Sequence, residues 1–196
     1  FALICSLKPS ALTVSVAAPA VTGPTATFVT PVTTVPLLVS AGTASFNAAT
    51  TATTLNLSGT GTLTGAGIVT LAGPGSSSWT GGTYTGTGQL VVASGHTLTL
   101  SGAEKDFGTG TLANSGTVLW TGGNIDVVGS GTVLNRGLFD IQLSGTFGDQ
   151  STGVGTVTFN NESGATLRKS GAGLTAIGSR GGVTPDRKST RLNSSH

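Results

Sequence analysis

Between residues 42 and 178 apolar and polar residues alternate in short runs, and glycine closes each run. In "GTGTLANSGTVLWTGGNIDVV", Leu112, Val118, Trp120, Ile125 and Val127 fall where alternate side chains turn to one side. That is the period of a strand with one face on a core. Thr, Val and Leu between Gly-rich corners favour strands over helices, and glycine at this density weakens a helix by ~1 kcal/mol per site relative to Ala.

The runs repeat. Gly-x-Gly-x-(Leu/Val/Ile) occurs as "GAGIV" at 65, "GTGQL" at 86, "GTGTL" at 108, "GSGTV" at 129 and "GVGTV" at 153, at intervals of 21, 22, 21 and 24. A further "GTGTL" at 59 is out of step. Gly75, Gly95, Gly116 and Gly137 form a second series, and "WTGG" places Trp79 and Trp120 four residues after two of them. "GTASFNAATTATTLNLSG" from Gly42 also resembles "GTVTFNNESGATLRKSG" from Gly155. Phased markers of this period predict an all-β fold, a right-handed parallel β-helix (β-solenoid) of about six ~21-residue coils. One coil cannot bury its apolar side alone; stacking supplies both the core and the inter-strand hydrogen bonds. Six coils at ~4.8 Å each make a rod of roughly 29 Å. Asn114 and Asn135 hold equivalent places, with Asn160 nearby in the next unit. They predict either an internal ladder of amide hydrogen bonds or independent turn formers.

Punctuation divides the chain. Five of the seven prolines lie at or before Pro36, and 29 of the 32 glycines lie between Gly42 and Gly178. Residues 1–41 read as a Thr/Pro-rich linker or the remnant of a preceding β domain, 42–180 as the repeat segment, and 181–196 as a disordered tail. "FALICSLKPSALTVSVAAPA" lacks the basic start of a signal peptide. The tail holds all the excess charge: Phe1 to Val183 carries six cations and six anions, so the formal +2 comes from Asp186, Arg187, Lys188 and Arg191. "DRKSTRLNSSH", residues 186–196, resembles a translated short-read sequencing adapter and is set aside from fold reasoning. The basic balance then gives no reason to expect nucleic acid as a partner. The chain has no Met, which leads us to expect a slice of a longer reading frame. Cys5, the single cysteine, has no internal disulfide partner. No stretch is long and apolar enough for a membrane span.

Repeats of the "GTGTLANSGTVLWTGGNI" kind resemble the Gly/Thr/Asn-rich parallel β-helices of bacterial secreted and cell-surface proteins, such as autotransporter passengers and filamentous-haemagglutinin-like adhesins. The likeness covers roughly 42–178 and rests on texture and period. It implies export to the cell surface or beyond, a structural or adhesive role, and carbohydrate or another cell's surface as partner. It brings no catalytic residue and no cofactor.

Parallel β-helices also resemble polysaccharide lyases and glycosidases, whose sites need clustered carboxylates and bases. Residues 1–103 contain no acid, and Lys8 is their only Lys or Arg. Counted from their leading glycines, Glu104 and Asp126 coincide, as do Asp106 and Asp149. Stacking would set Glu104 and Asp126 ~5 Å apart, the spacing of a retaining glycosidase pair. Lys105 interrupts them, no His or Arg is phased with them, and acids are expected on solvated corners. Trp79 and Trp120 are candidates for a carbohydrate-stacking platform, against packing in a strand column. "TGGNIDVVG" lacks a glycine that the calcium nonapeptide needs, so no metal is expected. No Lys-Ser/Thr follows the "GTGTG"-like runs, so they are not phosphate loops. His96, alone in "SGHTLTL", reads as a surface residue. A flat threonine array fails in this phasing, where Thr109/Thr111 meets Ser130/Thr132, then Val154/Thr156, and Thr87/Gln89 before them.

Overall fold

The computed structural model describes residues 3–4, 20–21, 24–149, 155–178 and 190–193. Its strands stack coil upon coil into a parallel β-solenoid of about six turns. Each full coil contributes three strands, such as Lys105–Phe107, Gly110–Asn114 and Thr117–Trp120, and each pairs in parallel with its counterparts in the coils above and below. The first strands of successive coils form one ten-stranded sheet, here face A. The second and third strands form faces B and C of a thirteen-stranded sheet. Those two faces are continuous because the long strand Thr50–Leu57 pairs through Thr50–Ala52 with Val69–Leu71, and through Asn56 and Leu57 with Ser78 and Trp79.

Alternation builds the interior. Phe46, Leu63, Tyr84, Phe107, Val127 and Phe147 point inward from face A, where they meet Leu90, Leu112 and Val133 from face B and Leu98, Val118 and Phe139 from face C. Phe107 meets Tyr84 at a tilt and Phe147 edge-on, each at 5.7 Å centroid spacing. The recurrent Gly-x-Gly marks the corner between faces A and B. Gly86 has φ 103, and a Cβ there would lie 2.5 Å from the Gly65 carbonyl oxygen. At Gly88 it would lie 2.0 Å from the oxygen of Gly67. The backbones of adjacent coils therefore touch at this corner, and only glycine permits it.

The stack begins before residue 42. Thr25–Phe28 pairs with Thr43–Phe46, and Val32–Val39 pairs with Thr50–Leu57, so part of the Thr/Pro-rich segment belongs to the solenoid. Pro36 lies within Val32–Val39 beside register shifts in the ladder, the irregularity that lets a strand carry a residue without an N–H. At the other end, Thr190–Asn193, expected in a disordered tail, runs antiparallel along Leu174–Ile177. That strand otherwise closes face A with unpaired backbone groups, and any extended segment can satisfy them. Gly153, expected in the corner series, lies outside the described residues.

The amide ladder forms, with one correction. Asn114 Nδ2 donates to Asn135 Oδ1 at 2.8 Å, and Asn135 Nδ2 donates to Asn161 Oδ1 at 2.7 Å. Asn161, not Asn160, completes it, because Asn135 is in register with Asn161.

Candidate functional site

The sharpest chemical expectation, an acidic edge on face A, takes shape with altered partners. Asp106 and Asp126 are register partners, as are Lys105 and Ile125, so Asp126 stacks on Asp106 and not on Glu104. The coil between them is two residues shorter than the sequence phasing assumes. Oxygen atoms of Glu104, Asp106 and Asp126 nevertheless lie within 4.8 Å of one another. Glu104 is exposed, Asp106 half-buried and Asp126 buried at 3% exposure. Thr83, one coil earlier, donates its hydroxyl to Asp106 Oδ2 at 3.1 Å. Asp149 does not join them. Its carboxylate accepts the Gly155 N–H at 2.5 Å.

Lys105, between two of these acids in sequence, turns into the protein. It is fully buried, and Nζ donates to the carbonyls of Ser101 at 2.9 Å, Ala103 at 2.6 Å and Gly122 at 2.9 Å. The three ammonium donors thus match three turn carbonyls from two coils. Burial pulls its pKa down to about 8, against the opposing pull of the Glu104 charge. The amine is spent on backbone, so it is not presented to a substrate beside the acids.

Trp79 and Trp120 are not a platform. They are 1% and 0% exposed and sit one above the other's column on face C, with Leu100 between them in register. Trp79 Nε1 donates to the Gly82 carbonyl at 3.3 Å and Trp120 Nε1 to that of Gly123 at 2.7 Å. The glycines of "WTGG" are therefore the acceptors of the tryptophan preceding them, and the motif is an element of packing.

His96 is also a correction: it is buried, not on the surface. Its imidazole overlies Gly75, its register partner, which leaves room for the ring. Leu55 N donates to Ser77 Oγ at 2.8 Å, Ser77 Oγ lies 2.8 Å from His96 Nε2, and His96 Nδ1 lies 3.2 Å from the Gly73 carbonyl oxygen. A carbonyl at Nδ1 demands a proton there, so Nε2 accepts from the serine hydroxyl. A serine and histidine at this distance are the makings of a nucleophile and base. Here the hydroxyl is sealed in the core at 4% exposure and already bonded on both sides, which makes the pair a strut between coils.

The alternation in "SSSW" and "HTLTL" places Ser77 with Trp79, and His96 with Leu98, on the inward set. That signal was present in the sequence; residue type argued against it. Among the described residues no helix is long and apolar enough to cross a membrane. No protein-family model matches the chain, nor does any curated protein or solved structure.

Proposed function

We propose that this chain is a non-catalytic structural and adhesive segment of a large exported bacterial surface protein, lying at the cell surface or outside the cell. The observation that carries this reading is where the chemistry points. The tryptophans, the histidine with its serine, and Lys105 all face inward and are consumed by packing, while the outward positions repeat small hydroxyl residues from coil to coil. Such a layout makes length and a uniform contact surface by repetition. Surface carbohydrate or another cell is the partner this reading calls for. One observation favours a second reading, a carbohydrate-active β-helix: three carboxylates from neighbouring coils converge on face A.

The test displays the full chain on a non-adherent cell and measures attachment to carbohydrate-coated and cell-coated surfaces. Soluble chain is incubated in parallel with polysaccharides and assayed for new reducing ends. Attachment without turnover is the expected result. Release of reducing ends that disappears in Asp126→Asn would replace the adhesive reading with the enzymatic one.

A further inference from the structure

The threonine array read through Gln89 and Thr111 stays broken at Gln89, but the register of face A assembles another. Thr25, Thr43, Thr62 and Thr83 are successive register partners, although 18, 19 and 21 residues separate them. Two residues on in each strand, Thr27, Ser45 and Thr64 are register partners as well, and Thr85 follows Thr83 by the same step. The residue between each pair, Ala26, Ala44, Leu63 or Tyr84, packs into or against the core. The outward plane of four coils is thus a two-by-four lattice of hydroxyls. Thr25 is exposed and the other seven are partly exposed. The ladders along this stretch run without a register shift. A search at one fixed period does not see this array, because the early coils are short.

The lattice spacing follows from strand geometry: ~4.8 Å from coil to coil and ~6.6 Å between alternate residues of a strand. The coil repeat is close to the shorter repeat of oxygen atoms on the prism faces of hexagonal ice, and the step along the strand is somewhat shorter than the longer one. Seven of the eight positions are threonine, whose branched side chain is restricted at χ1, so hydroxyl and methyl are held in place before any ligand arrives. Preorganisation of this kind removes most of the ordering cost of binding. A second observation points to an uncharged ligand. From Pro24 to Ala103 the chain contains no Asp, Glu, Lys or Arg, and the lattice ends where Asp106 follows Thr83 in the column. A neutral sugar polymer fits less well, because the rings of this face, Phe28, Phe46 and Tyr84, belong to the inward set, with Phe28 stacked on Phe46, and present no outward aromatic platform.

We infer that the outward plane of face A from Thr25 to Thr85 orders water in an ice-like layer and adsorbs to the prism faces of ice. Hydroxyls hold waters at the lattice points, the γ-methyls wall the file between the two columns, and the ordered layer merges with the crystal. Such a plane requires neither export nor an adhesive role of the chain.

The full chain, fluorescently labelled, is frozen slowly onto a single ice crystal and assayed for inhibition of ice recrystallisation, with circular dichroism confirming the β fold. Labelling of prism faces, lost in Thr62→Lys and kept in Thr97→Lys on face C, is the expected outcome. Thr43→Lys, one coil away on the same plane, gives the same readout if Thr62→Lys fails to fold. A folded chain that leaves ice unlabelled overturns the inference, and so does retention on powdered chitin or cellulose without ice adsorption. Loss in the face C variant while the face A variants still bind overturns the assignment to this plane.

Discussion

Asp140 and Lys105 are both ionisable, both without exposed side-chain surface, and settled in opposite ways. Lys105 is held by uncharged carbonyls, so burial dominates and its pKa falls to about 8. Asp140 is outward in parity but covered. Arg168 donates to Oδ2 at 2.7 Å and Gln142 Nε2 to the same oxygen at 2.8 Å. The hydrogen bond from Arg168 is the main cause that brings its pKa from 3.8 to about 2, outweighing a burial that pushes the other way. A carboxyl depressed in the fold contributes stability that is whole above 3.8 and is lost as pH falls through about 2. Thermal midpoints of the full chain are therefore expected to drop across that interval. In Asp140→Asn the neutral-pH midpoint should be lower and this part of the pH dependence flatter. An unchanged acid slope in the variant would show that Arg168, half-exposed, is screened by water and contributes little. The same two residues mark what the sequence discloses. Lys105 shares its parity with Phe107 and so belongs to the inward set, but a lysine is expected outside. It goes in because the carbonyls of Ser101, Ala103 and Gly122 converge on its ammonium.

At the scale of strands and ladders, the period and the inward columns were legible, and the registers between coils were not. Alternation is a local property, so Val118, Trp120, Ile125 and Val127 could be assigned to the core from one coil alone, and all are buried. Register depends on how many residues each corner absorbs, and that varies. Thr25 to Thr43 takes 18 residues, Asp106 to Asp126 takes 20, and Asn135 to Asn161 takes 26. A fixed count therefore matched Glu104 with Asp126, chose Asn160 for the ladder, and did not reach the threonine lattice that the fold assembles on face A. The Asn ladder shows how far a correct register matters energetically. Asn135 accepts from Asn114 and donates to both Asn161 Oδ1 and the Thr166 carbonyl, at 3.1 Å for the latter. Truncation takes Asn135 away from the Asn114 amide, which keeps the Leu138 carbonyl, and from the part-buried Thr166 oxygen. Asn135→Ala is expected to cost about 1–3 kcal/mol. Asn161→Ala, at an exposed position, should cost visibly less. Denaturant unfolding of the two variants beside the parent checks the difference, and equal losses would reduce the ladder to separate turn-forming asparagines.

For the molecule as a whole, the telling feature is how the last described coil meets water. Among the described residues, Thr156–Asn161 and Thr166–Lys169 are the two outermost strands of the thirteen-stranded sheet, and each has a backbone edge without a strand partner there. Val157, Phe159 and Leu167, which continue the inward columns, are only partly buried there. On face C the edge is blunted. Lys169 stands in register above Ile141, and Nζ donates to the carbonyls of Gly171 and Ala172, which puts a charge at the end of an apolar column. Face B has no such guard, and Phe159 packs edge-on against Phe139 with its outer side open. Long-range repulsion is weak as well, since cations and anions balance from Phe1 to Val183, and Arg136 is paired with Glu162 at 2.9 Å. The full chain, in which Thr190–Asn193 covers the face A edge, should therefore associate through its face B edge by strand pairing and apolar contact. Size-exclusion with light scattering over a dilution series should show mass rising with concentration. Added salt should leave the association in place, because exposed-charge attraction is not what drives it. Monomer at every concentration would mean that Lys169 and the turns beside it close this end of the solenoid by themselves.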